Sequence, residues 1–407
     1  FNRGPSWPGL RPPGGAALAG GPEPPPPEEE EEETPRAGGP LPKMDLGALT
    51  SFVRQEYSIA YADKEAALER DVPLEEQLRA ARTPARVLRL TEAMARSLDS
   101  SSVAVACQRL AMRSSASDES LDLDVRFEAF LERATRTLVQ DPPDGPTATS
   151  LMWSMSMLSF TSSAPQDLLP VILAALPAAA RTMSLANATV CLSAAAKLLR
   201  VEPQILVHVQ PLLEAVVERA QVEEVQPQHI SGAIWAAGEL GLDDRDAVEL
   251  TSAVLRDLPL ERLANFSSRE ISNLLWGLAQ LGERDVPLLA AAAQAVAKSA
   301  GSWDKRSAML DLPMIVCALA RLQFVDMPLL EAVAARLLQK AMIRKLNHWA
   351  ICALVWSLPD ADVSGKVKNL QVAVQEQAKK RRFSDTQVAR SFLGPNEWLE
   401  DLRPSAG

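Results

Sequence analysis

Two segments of this chain nearly superpose: ISGAIWAAGELG starts at Ile230, and ISNLLWGLAQLG starts 41 residues later at Ile271. With the tryptophan as anchor, one register runs through Trp153, Ala194, Trp235, Trp276, Cys317 and Trp356, with spacings of 41, 41, 41, 41 and 39. Ala195 would serve nearly as well as Ala194 in the degenerate second copy. A second feature repeats independently, since the VPLL of Val286–Leu289 returns as MPLL at Met327–Leu330, each preceded by an aspartate. A unit of this length buries its apolar face only by stacking on its neighbours, and a period between about 20 and 50 residues is the signature of that arrangement. The expected fold is all-α: an α-solenoid of five to six helical hairpins.

Local chemistry sets the helix boundaries within each unit. Asp285 and Asp326 can cap a second helix whose first turn holds a proline, where the missing N–H costs nothing. In the copy around Trp276, Ser267 and Glu270 have capping-box spacing, and Gly282 stands where the first helix should stop. Along that helix Ile271, Leu274, Leu275, Leu278 and Leu281 form one apolar stripe, while Arg269, Asn273, Gly277 and Gln280 share another face. Trp153, Trp235, Trp276, Cys317 and Trp356 fall within the apolar stripes, so core packing is expected of them rather than stacking on a ligand. Trp349 is off register and expected to be more exposed.

Composition divides the rest of the chain. Hydrophobic residues make up 47% and aromatics 5%, with alanine and leucine dominant, which suits closely packed helices. Residues 1–43 are Pro-, Gly- and Glu-rich, include the Glu28–Glu33 run, and are expected to be disordered. Residues 44–145 read as an irregular helical region, with helical patterns in Leu78–Leu98 and Val125–Leu138 and a break at Pro142, Pro143 and Pro146. The repeats occupy 146–364, and a basic helix and tail follow at 365–407. The chain begins at Phe1, so a fragment or a processed product is expected. Its longest apolar stretch, around Leu288–Ala297, is interrupted by Gln294 and falls short of the roughly 18 residues a membrane span needs. Cys107, Cys191, Cys317 and Cys352 are far apart without a CxxC pair, so buried, reduced thiols are expected.

The segment LANFSSREISNLLWGLAQLG, Leu263 to Gly282, resembles the octotricopeptide repeats, which are akin to those of FAST-kinase-like and RAP-domain proteins; PQHISGAIW from Pro227 is a second match. The resemblance covers roughly residues 146–360. It implies binding to single-stranded organellar RNA or ribosomal RNA, in mitochondria or plastids, serving RNA stability, processing, translation or ribosome assembly. A RAP domain is not expected, because too few residues follow Leu358.

Repeat proteins that read RNA set two or three side chains of each unit against one base. The equivalent positions are Gln228, Gly232 and Glu239 in the third copy, and Arg269, Asn273 and Gln280 in the fourth. In the fifth they are Leu310, Met314 and Arg321, and in the sixth Trp349, Ala353 and Asp360. Charge limits how such a surface would work. The net charge is -10, and within 146–364 there are 22 acids against 17 bases, so phosphate contacts must come from local patches. Lys379, Lys380, Arg381 and Arg382 form the one concentrated basic run, and Arg344, Lys345, Asn347 and His348 a lesser polar cluster. The rival reading is a protein-binding scaffold, possessed of apolar surface positions such as Leu310 and Met314, in a large organellar assembly such as a ribosome. No enzyme, metal site or cofactor is expected: His208, His229 and His348 are isolated, and GGAALAGG at Gly14–Gly21 lacks the strand context of a phosphate loop.

Overall fold

A computed structural model describes residues 72–114, 121, 124–158, 168–358, 365–384 and 388. The Pro/Gly/Glu-rich tail at 1–43 lies outside the described residues. Sixteen α-helices and no strand occur among those described. In chain order they are α1 Leu74–Ala80, α2 Pro84–Ala93, α3 Ser100–Ser114, α4 Val125–Gln140, α5 Gly145–Leu158, α6 Leu168–Ala180, α7 Leu185–Leu198 and α8 Gln210–Ala220. Then come α9 Pro227–Leu240, α10 Asp244–Leu255, α11 Ser268–Leu281, α12 Val286–Ser299, α13 Lys305–Arg321, α14 Met327–Leu337, α15 His348–Ser357 and α16 Gly365–Lys380.

The odd-numbered helices pack side by side in chain order to form one row, and the even-numbered helices form a second row behind it. Between α10 and α12 the second row passes through the 3-10 turn Leu260–Asn265. The result is a stack of hairpins around one continuous core, the architecture of an α-solenoid. No helix is long and apolar enough to cross a membrane among the described residues.

The expected caps form. Asp285 Oδ1 accepts from the Leu288 N–H at 3.0 Å, and Asp326 Oδ1 from that of Leu329 at 2.8 Å. Ser267 and Glu270 make a reciprocal capping box, and Gly282 ends α11 with φ 72°, a left-handed conformation that glycine adopts without steric cost. Leu78–Leu98, read as one helical stretch, is divided: Pro84 cannot continue α1, and Thr83 caps α2 instead. The segment 74–140 contributes two hairpins, α1/α2 and α3/α4, stacked like those that follow.

A recurring bond closes several hairpins. A side chain just beyond the second helix accepts from an N–H at the start of the first: Asp141 from Ser100 at 2.8 Å, Thr182 from Gly145 at 3.1 Å and Glu223 from Leu185 at 3.0 Å. Each supplies a partner to a donor that the helix itself leaves unpaired. Elsewhere arginines make the converse contact with carbonyls ahead of the first helix, Arg219 to Arg181 at 3.0 Å and Arg336 to Trp303.

All four cysteines are free and buried. Burial pushes the Cys107, Cys317 and Cys352 thiols up to about 12, and raises Cys191 as well. The thiolate is the reactive form, so the native chain should not react with a colorimetric disulfide reagent at pH 8, whereas all four thiols should titrate in denaturant. Rapid native labelling of one or more cysteines would contradict this packing.

Candidate nucleic-acid interface

The row proposed for base reading is largely consumed by contacts between helices. Arg269, at the start of α11, is three-quarters buried and pairs with Asp311 of α13, Nη1 to Oδ1 at 3.1 Å, while the Asp311 side chain is only 2% exposed. Ser268 Oγ donates to Asp311 Oδ2 at 2.8 Å. Burial raises the Asp311 carboxyl pKa, and the neighbouring Arg269 charge opposes that rise without overcoming it. Gly277, on the same face, lies against the backbone of α9: a Cβ there would sit 2.3 Å from the Ile234 carbonyl oxygen.

Asn273 and Gln280 are half-buried, and among the described residues Asn273 Oδ1 has no hydrogen-bond partner. Of Gln228, Arg269, Asn273 and Gln280, only Gln228 is exposed.

Arg321 and Glu239 are drawn into an aromatic cluster around Trp276. That indole is fully buried, its Nε1 donates to Glu239 Oε1 at 3.1 Å, and the Arg321 guanidinium carbon stands 5.4 Å from its ring centroid. Trp349 of α15 meets it edge-on at 5.9 Å, although α13 stands between the two helices in the row; the α13 residue at the Trp276 position is the small Cys317. Trp349 is therefore 5% exposed and belongs to the core, contrary to its off-register position.

Trp235, Trp276 and Cys317 are buried, and Trp153 packs partly buried against the core. Trp356 departs from the expected core role at 37% exposure, because among the described residues no first-row helix follows α15 to cover it. Met314 is 2% exposed and Leu310 half-buried, so the apolar surface that motivated a scaffold reading is not where the spacing put it.

The two basic clusters come together. Lys379 and Lys380 end α16, and Arg381 follows, donating from Nη1 to the Leu346 carbonyl at 2.9 Å and from Nη2 to that of Arg344 at 3.1 Å. This places the end of α16 against the 3-10 turn Gln339–Lys345 that leads into α15. His348 meets Phe383 edge-on at 5.1 Å, and its pKa is lowered by burial first and by Arg381 second.

Lys305 and Arg306, absent from the contact residues expected from spacing, begin α13, which packs against the turn Gln339–Lys345. The Lys345 ammonium lowers the Lys305 ammonium pKa, as a neighbouring like charge does. The available signal was cations in the first turn of a helix, where the dipole disfavours them.

A groove of about 760 Å³ opens on the second row between α12 and α14, lined by Ala290, Ala291, Gln294, Ala297, Ala332 and Ala335. Lys298, Lys366, Asp326 and Glu331 give it a rim of mixed sign. Among the described residues no group of three His, Cys, Asp or Glu side chains is placed to hold a metal ion. No protein-family model matches the chain, and no curated protein matches it.

Proposed function

We propose that this chain is an organellar helical-repeat protein, built of units with a 41-residue period, that binds single-stranded RNA and performs no catalysis of its own. The observation that carries the reading is the pair of similar segments on which the octotricopeptide resemblance rests: they form α9 and α11, adjacent helices in close backbone contact at Gly277. Repetition of a binding unit along a stack suits a linear polymer, each hairpin meeting the next few nucleotides. Mitochondria or plastids are the proposed compartment, and organellar messenger or ribosomal RNA the proposed ligand.

Filter binding of the full chain to labelled single-stranded RNA tests the reading. Retention with a dissociation constant of about 10⁻⁶ M or tighter at physiological salt, beyond the usual non-specific range, is expected. Retention at background, unresponsive to substitution of Lys379–Arg382, would overturn it.

The alternative is a scaffold subunit of a large organellar assembly, and the alanine-lined groove between α12 and α14 favours it, since small side chains allow close approach of a partner helix. Recovery of a stable protein complex that survives RNase treatment would support that alternative.

A further inference from the structure

One edge of the stack gathers cations from three separate stretches of sequence. Lys305 and Arg306 open α13, Arg344 and Lys345 close the turn before α15, and Arg381 is held between the carbonyls of Arg344 and Leu346. Arg382 and Lys379 adjoin Arg381, and Lys305, Arg306, Arg344, Lys345, Lys379 and Arg382 are all exposed. Among the described residues no ion pair engages Lys305, Arg344 or Lys345.

Fold stability does not account for this arrangement. The first turn of α13 contains two cations and no acid, although the positive end of a helix dipole favours the reverse. The acid at its cap, Asp304, is committed to the backbone N–H groups of Arg306 and Ser307 at 2.8 and 3.1 Å. Arg382 holds φ 58°, a left-handed conformation in which a side chain is strained and glycine is the usual residue. Lys305 and Lys345 are like charges on two elements that pack together, α13 and the turn Gln339–Lys345. The cations at the helix start and the like-charge contact are both unfavourable in the isolated chain, and both are relieved by one event, the arrival of an anion bridging the elements.

We propose that this edge, with Lys305 and Lys345 at its centre and Arg344, Arg381 and Arg382 beside them, grips the sugar-phosphate backbone of single-stranded RNA. The inference rests on the RNA-binding reading above and assigns the contact to the rim of the stack instead of the first-row face, where Arg269, Gly277, Glu239 and Arg321 are already engaged. Phosphate contacts of this kind fix the strand without reading its sequence. A flexible single strand fits the edge better than a duplex, because it can follow cations presented by the starts of α13 and α15 and the end of α16.

The test uses the full chain and a fluorescein-labelled polyuridine of about 16 nucleotides, with anisotropy measured across a salt series. The variants are K305Q/K345Q and, as a control, K298Q/K366Q at the groove on the second row. Removing two phosphate contacts should weaken binding roughly tenfold and lower the slope of log affinity against log salt by about 1.4. The groove variant should match the parent in both, and circular dichroism melting should show K305Q/K345Q no less stable, since a like-charge contact is relieved.

If the parent binds RNA and K305Q/K345Q binds it equally well with the same slope, this assignment is overturned and the RNA-binding reading stands. If the parent does not bind, both fall. Binding that an acidic peptide competes away as effectively as unlabelled polyuridine at equal charge would also count against it, by pointing to a protein partner.

Discussion

Replacing Arg269 with leucine lowers the stability of the stack by about 3–5 kcal/mol, the cost of leaving a buried charge without its partner. The charge in question is the carboxylate of Asp311, 2% exposed between α11 and α13, with the Arg269 charge 3.1 Å from Oδ1 and Ser268 donating to Oδ2. The double variant R269L/D311L should recover most of the loss, because two well-packed apolar side chains need no compensation.

The variant's pH dependence follows from the direction of the Asp311 shift. Burial already holds this carboxyl above its ordinary value, and removing Arg269 deletes the interaction that opposed the rise. Below the raised folded pKa the native chain binds a proton that the unfolded chain binds only at lower pH. Stability of R269L relative to the parent should therefore improve as the pH falls through that folded pKa and worsen as it rises. Denaturant melts at several pH values measure this, and a penalty that is constant with pH would show that Asp311 does not carry it.

Gly277→Ala is the second substitution with a large effect, and its sign runs against helix propensity. Alanine in a helix interior is ordinarily favoured over glycine by about 1 kcal/mol. Here the new Cβ would lie 2.3 Å from the Ile234 oxygen, 2.5 Å from its carbonyl carbon and 2.7 Å from the Trp235 nitrogen. All three are backbone atoms, so no rotamer change makes room, and α9 and α11 must move apart.

Overpacking of this kind costs about 1–3 kcal/mol on its own, more where backbone must shift, and a net loss of about 2 kcal/mol or more is expected. Gly238→Ala should also destabilise but cost less, because its closest approach, to the equally fixed Gln280 Cβ, is 2.7 Å and not 2.3 Å, with the Gly277 carbonyl next at 3.0 Å. A G277A chain as stable as its parent in thermal and denaturant melts would mean that the two helices do not cross this closely.

The contrast between these two sites and the helix boundaries explains how far the sequence can be read. Caps are local: Asp285, Asp326, Ser267 and Gly282 act within a few residues of themselves, and each does what its spacing indicates. The contact row of α11 was harder, because helical spacing tells which residues share a face and not which neighbour that face meets. Arg269 finds its partner 42 residues away on the next hairpin, and Gly277 meets Ile234 on the previous one.

The two N-terminal hairpins lacked an anchor to find them by. Counting back one period from Trp153 reaches Met112, which is 42% exposed. Asp141, Thr182 and Glu223 do recur at intervals of 41, but they share a hydrogen-bonding role and not a residue type, so a search for identity passes over them. The cationic edge was half legible: Lys379–Arg382 and Arg344–Lys345 stood out as runs, while their meeting depends on where the end of α16 returns.

The closing bonds have a consequence for how such a chain reaches its folded state. Those of Asp141, Thr182 and Glu223 join residues 41, 37 and 38 apart, so the loop each must close is set by one hairpin and not by the length of the whole chain. Loop-closure entropy is then met locally, and the mean sequence separation of contacts stays nearly constant as hairpins are added. A nascent chain can complete one hairpin, and dock it on the last, while the rest is still being synthesised.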